Sequence, residues 1–130
     1  YAVSVLKVDH IIVKGHAKCG GIRALVDNPE QANIEAGTLI GRWMAIAKPA
    51  YERAKCRHPD ANNDTLAAEL EKDSILASLD NLMTFPMVRE RVESGDLKLH
   101  GWYFNITDGT LRGWNPRTRH FEELTAPKQG

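Results

Sequence analysis

A histidine and a cysteine three residues apart, His16 and Cys19, sit inside the run D-H-I-I-V-K-G-H-A-K-C-G-G-I at positions 9 to 22. An imidazole nitrogen and a thiolate sulfur together favour zinc. Without context the pair has an ordinary alternative, a polar histidine near a buried free cysteine. The flanking residues favour the metal. A short apolar run ends at Gly15, and Gly20 with Gly21 then opens a helix. Both donors thus fall at the C-terminal tip of a strand, where open α/β sheets place their ligand sites.

The elements that must position this pair follow from periodicity. Val8 to Lys14 is nearly continuous and β-branched, the pattern of a parallel strand covered on both faces. Tyr1 to Lys7, with Ala2, Val5 and Leu6 on one stripe, reads as the end of a helix. It has neither an N-cap nor a preceding Met, so the chain is expected to continue from a missing N-terminal part. Gly20 to Val26 is the departing helix, whose glycines let the backbone approach a ligand with its amides pointing at it.

Asp27-Asn28-Pro29 ends that helix, and a polar loop runs to about Gly37. From Thr38 a helix carries Leu39, Ile40, Trp43, Met44 and Ile46 at helical spacing, with Pro49 kinking or restarting it. It continues to Lys55, and Arg57 to Asn63 is a loop. Asn62, Asn63 or Asp64 caps the next helix, which holds Leu66, Leu70, Ile75, Leu76, Leu79, Leu82 and Met83. Pro86 opens a short helix over Met87 to Glu93, and Gly95 terminates it. Leu97 to Ile106 alternates as a strand, Thr107-Asp108-Gly109-Thr110 turns, and Leu111 to Trp114 returns. The expected architecture is α/β: a mainly parallel sheet flanked by helices, with a C-terminal hairpin at the edge, and one domain over 1–130.

Composition narrows the class. The 130 residues carry 17 Lys and Arg against 17 Asp and Glu, with 42% apolar residues. Zero net charge does not advertise a nucleic-acid surface, and no apolar run approaches the roughly 20 residues of a membrane span. The mildly basic tail, Arg112 to Lys128, reads as a solvated surface. Two cysteines, Cys19 and Cys56, are too few for a disulfide framework and suit a reducing compartment, with cytoplasm the expectation.

The sequence resembles the β-class carbonic anhydrases. The resemblance rests on H-I-I-V-K-G-H-A-K-C-G-G-I at 10 to 22, E-K-D-S-I-L-A-S-L-D-N-L-M-T-F-P-M-V-R-E-R-V at 71 to 92 and L-K-L-H-G-W-Y-F-N-I-T-D-G-T-L at 97 to 111, in order along nearly the whole chain. It implies one Zn2+ per complete site, held by two cysteines and a histidine, of which His16 and Cys19 are present here. The other cysteine belongs to an upstream Cys-x-Asp-x-Arg motif, which this chain lacks, so no catalytic Asp/Arg pair is identifiable in it. Cys56, in A-K-C-R-H-P, does not match that motif and reads as an incidental thiol.

The resemblance also implies that Tyr1 and Gly20 border the substrate pocket. The implied activity is hydration of CO2 to bicarbonate and a proton, with this chain as the C-terminal part of a homodimer or higher homo-oligomer. A chain carrying the missing N-terminal part is an implied partner, and neither nucleic acid nor membrane is expected as one. The alternatives are a zinc-binding or regulatory protein without catalysis, or a hydrolase of a CO2-like molecule such as CS2. Trp43, Trp102 and Trp114 read as core or interface aromatics, and His10, His58, His100 and His120 as surface or packing residues.

Overall fold

The structure, a computed structural model, describes residues 1–30 and 39–124. The loop expected up to Gly37, the helix start at Thr38 and the end of the basic tail lie outside them. The elements run β1 (His10–His16), α1 (Gly20–Asp27), α2 (Leu39–Arg57), α3 (Asn63–Met83), α4 (Pro86–Glu93), β2 (Lys98–Asn105), β3 (Thr110–Asn115) and β4 (His120–Glu123). Two compact units are formed, one from Tyr1–Gly15 and Ile75–Gly130, the other from His16–Ser74.

The first unit carries the sheet, ordered β1-β2-β3-β4. β1 and β2 run parallel: the Lys98 N–H donates to the Asp9 carbonyl at 2.9 Å, His10 meets His100, and four residues further along both strands Lys14 lies over the Phe104 ring. β2, β3 and β4 form an antiparallel meander in which Trp102 faces Gly113 and Trp114 faces Phe121. The α/β class read from the sequence holds, and the edge hairpin gains a third strand. Among the described strands the parallel relation is confined to β1 and β2.

Local details sharpen or correct the sequence reading. β1 starts two residues later than expected and includes His16. Its residues alternate between exposed and half-buried, so it is not covered on both faces, and Ile12 remains 47% exposed. Tyr1 to Lys7 forms turns, with the Val5 and Leu6 amides both donating to the Tyr1 carbonyl, in place of the expected helix end. Gly95 and Gly109 take positive φ, 83° and 70°, where a Cβ would be strained.

The buried face of β2 is Gly101 and Tyr103, with buried Leu97 just before the strand, while Trp102 and Phe104 point the other way. Gly101 is required by α3. A Cβ there would lie 2.9 Å from Cγ2 of buried Ile75 and 3.0 Å from Cδ1 of Leu79. Gly101→Ala is expected to lower the unfolding free energy by about 1–3 kcal/mol through overpacking. Chemical denaturation would read this, and an unchanged midpoint would show that the helix simply moves aside.

The second unit packs α1 on α2. The buried face of α2 is Met44, Ala47, Ala50, Tyr51 and Ala54, whose three alanines permit close approach, while Leu39 and Ile46 of the expected apolar stripe are exposed. Pro49 is accommodated inside a continuous helix. Asn62 is the cap of α3, its Oδ1 accepting the Thr65 N–H at 2.9 Å. Burial holds the Asp73 carboxyl above its usual range although Arg57 beside it pulls the other way.

Candidate metal site

His16 is the last residue of β1, and Cys19 is the N-cap of α1, in extended conformation at φ −67° and ψ 118°. Between them the chain reverses through Lys18, which adopts φ +55°, a left-handed conformation costing a non-glycine residue about 1 kcal/mol or more. The strand tip, the strained turn and the helix start thus form one short structural unit around the two donors.

His16 is held through its ring and Cys19 through its main chain. His16 Nδ1 lies 2.9 Å from the Ala17 carbonyl oxygen. A carbonyl only accepts, so Nδ1 carries the proton and Nε2 keeps its lone pair for a ligand or metal. Cys19 is a free, half-buried thiol, and its backbone N–H donates to Glu71 Oε1 at 3.0 Å. Glu71 reaches over from α3 and is only 5% exposed, the one buried charged residue among those described.

Sequence reading missed Glu71. The signal was available: Ala67, Glu71 and Ile75 share one i, i+4, i+8 stripe of α3, and all three are buried, so a carboxylate sits where the pattern calls for an apolar residue.

The helix that starts at this turn is itself anchored. Arg23 pairs with Asp27 at 2.8 Å and with Asp64, and Asn63 donates to Asp27 at 3.0 Å, tying α1 to the start of α3. The Arg23 hydrogen bond, helped by Asn63, keeps the Asp27 carboxyl below its usual range. Gly21 accepts the Trp43 ring, since a Cβ there would approach Cζ3 to 2.7 Å; Gly20 has open space where its side chain would be. Of the two glycines, only Gly21 is required by packing.

The remaining candidates divide. Tyr1 is a turn residue, 84% exposed, in the other compact unit. Cys56 lies in the last turn of α2, one residue beyond the expected helix end at Lys55, and is exposed. No group of three or more His, Cys, Asp or Glu among the described residues could hold a metal ion, so His16 and Cys19 supply donors of the right type but too few for a closed zinc shell.

The family model described as carbonic anhydrase matches residues 1–111. The chain belongs to the β-carbonic anhydrase family. It is 37% identical over 114 residues to β-carbonic anhydrase 6, mitochondrial, of Arabidopsis thaliana, a match covering 88% of this chain and 39% of the relative. Among solved β-carbonic anhydrases, CcaA superposes with a TM-score of 0.84 at 26% identity, covering 95% of this chain and 59% of that one. One of two tetrameric β-carbonic anhydrases from Sordaria macrospora gives 0.69 at 25% identity, over 97% of this chain and 57% of that one. The chain therefore spans about two fifths of the curated β-carbonic anhydrase it matches.

Proposed function

We propose that this chain supplies His16 and Cys19 as two of the three protein zinc ligands of a β-carbonic anhydrase centre that hydrates CO2 to bicarbonate and a proton. The observation that carries the reading is the held geometry of the strand-tip turn: an imidazole fixed with Nε2 available, and a cysteine whose main chain is pinned, in a chain of this family. Zinc, when bound, supplies a Lewis acid that lowers the pKa of coordinated water far enough, to about 7, for hydroxide to be available at neutral pH.

The chain's own contribution is positional. The Nδ1–H to Ala17 bond fixes the ring orientation of His16, and the Glu71 carboxylate fixes the start of α1. The open space beside Gly20, at the amide-rich start of an eight-residue helix, is the place offered to CO2 and bicarbonate. The third ligand and the Asp/Arg pair are assigned to sequence outside this chain, and the active protein to a homo-oligomer; the tetrameric Sordaria relatives support the latter. Two free cysteines are in keeping with a reducing compartment such as cytoplasm.

The test compares the 130-residue chain with a protein extended to the length of its relatives, by elemental zinc analysis and stopped-flow CO2 hydration. The extended protein is expected to hold one zinc per site and to turn over CO2, and to lose its zinc in Cys19→Ser. The 130 residues alone are expected to hold zinc weakly. An extended protein that binds zinc without turnover would support the non-catalytic alternative. Full activity from the 130 residues alone would overturn the assignment of missing ligands.

A further inference from the structure

His10 opens β1 and His100 lies opposite it on β2, ninety residues away in sequence. Their rings are 5.1 Å apart between centroids, and His10 Nδ1 lies 2.9 Å from His100 Nε2. We propose that this pair is a second metal site, a two-imidazole chelate for a divalent transition metal that favours square-planar or octahedral geometry, Cu2+ or Ni2+.

The spacing of the two nitrogens suits a chelate. Two imidazole nitrogens about 2.05 Å from one metal are about 2.9 Å apart when they subtend 90°, and about 3.3 Å apart at a tetrahedral angle. The 2.9 Å hydrogen bond of the metal-free pair already brings the two nitrogens to within the span of neighbouring coordination positions, so small ring rotations turn both lone pairs to a common point, and imidazole donors suit Cu2+ and Ni2+. Neighbouring parallel strands hold the two side chains on one face, so little conformational freedom is lost on binding.

In the metal-free pair one nitrogen donates its proton to the other. Moving that proton to the same ring's outer nitrogen frees both facing lone pairs, with no change of charge. Burial, then the nearby His10 and Lys98, hold the His100 pKa below its ordinary value, so protons compete weakly for it at neutral pH.

His10 also lines an open groove of about 740 Å³ with Lys7, Asp9, Arg91, Asp96 and Lys98, which leaves room for water at the remaining coordination positions. Its charges are mixed. Lys7 and Lys98 oppose a cation and Asp9 and Asp96 favour one, while Arg91 is engaged with main-chain carbonyls.

The experiment titrates Cu2+ into the zinc-loaded, full-length protein in a Cys56→Ser background, which removes an exposed thiol. Electron paramagnetic resonance counts nitrogen ligands, and quenching of Trp102, whose ring lies 6.5 Å from that of His100, reports proximity. The expected result is one Cu2+ with two nitrogen ligands. His10→Ala and His100→Ala should each weaken binding on the order of 10–100-fold, while His58→Ala leaves it unchanged. Circular dichroism of each variant confirms that the sheet is intact. Cu2+ affinity that is insensitive to both strand histidines, or equally sensitive to His58, overturns the proposal.

Discussion

Glu71→Ala is expected to lower the unfolding free energy by about 2–4 kcal/mol and to weaken zinc binding in the extended protein on the order of 10–100-fold. The stability loss has two sources. Removing the carboxylate takes from the Cys19 N–H an acceptor held at 3.0 Å, and it empties a side-chain volume that is almost fully enclosed. The loss of zinc affinity follows from position. Cys19 follows a left-handed residue and starts a helix that has no side-chain cap, so the Glu71 bond to its N–H, together with the Arg23 N–H on its carbonyl, restrains the main chain at the thiol.

Glu71→Gln separates these effects, because an amide oxygen preserves the acceptor while the charge is lost. It should cost about 1 kcal/mol and retain most of the zinc affinity. Denaturant unfolding and chelator competition measure the two quantities independently. A glutamine variant as zinc-poor as the alanine variant, yet fully stable, would show that the buried charge and not the hydrogen bond matters. An alanine variant with unchanged stability and zinc affinity would remove Glu71 from the site altogether.

What the sequence made legible, and what it hid, divides along the range of the interactions. Local signals were reliable: Asn62 as a cap, Pro86 opening α4, and Gly95 and Gly109 at positive φ were each written in one or two residues. β4 was missed because the turn before it uses Arg119 at φ +58° where a glycine would have announced it, and because H-F-E-E offers one apolar residue. Which face of β2 is buried was hidden because Gly101, apolar only by absence, occupies the buried register facing α3, while Trp102 and Phe104 lie half-buried on the other face.

The candidate site shows the same division. His16 and Cys19 were visible because their spacing is short and their chemistry distinctive. Glu71 lies 52 residues from the amide it holds, and His10 lies 90 from His100. The stripe on α3 marks Glu71 as inward-facing, but the partner it meets, like the partner of His10, is supplied by the fold and by no local pattern.

Arg91→Ala is the other large effect, and it concerns how β1 is fed into the sheet. From the last turn of α4, Arg91 Nη1 donates to the carbonyls of Val3 at 3.2 Å and Val8 at 3.0 Å, while Nη2 donates to those of Lys7 at 3.3 Å and Asp96 at 3.0 Å. Its own carbonyl accepts the amides of Asp96 and Leu97. One guanidinium thus gathers the strand-free residues before β1 and the turn before β2, just where the parallel ladder starts at Asp9 and Lys98. It also stabilises Lys7 at φ +52°. Four charge-assisted bonds, two part-buried and two exposed, do not add independently, and the expected loss is about 2–4 kcal/mol, a fall in Tm on the order of 10 °C. Arg91→Lys should recover only part of it, because an ammonium is a compact donor and lacks the planar fork that spans both carbonyl pairs. Hydrogen exchange would localise the damage to residues 3–9 and the β1–β2 ladder. Full recovery by lysine would mean that charge alone matters, and protection lost evenly across α1 and α2 would mean that Arg91 supports the whole chain and not this junction.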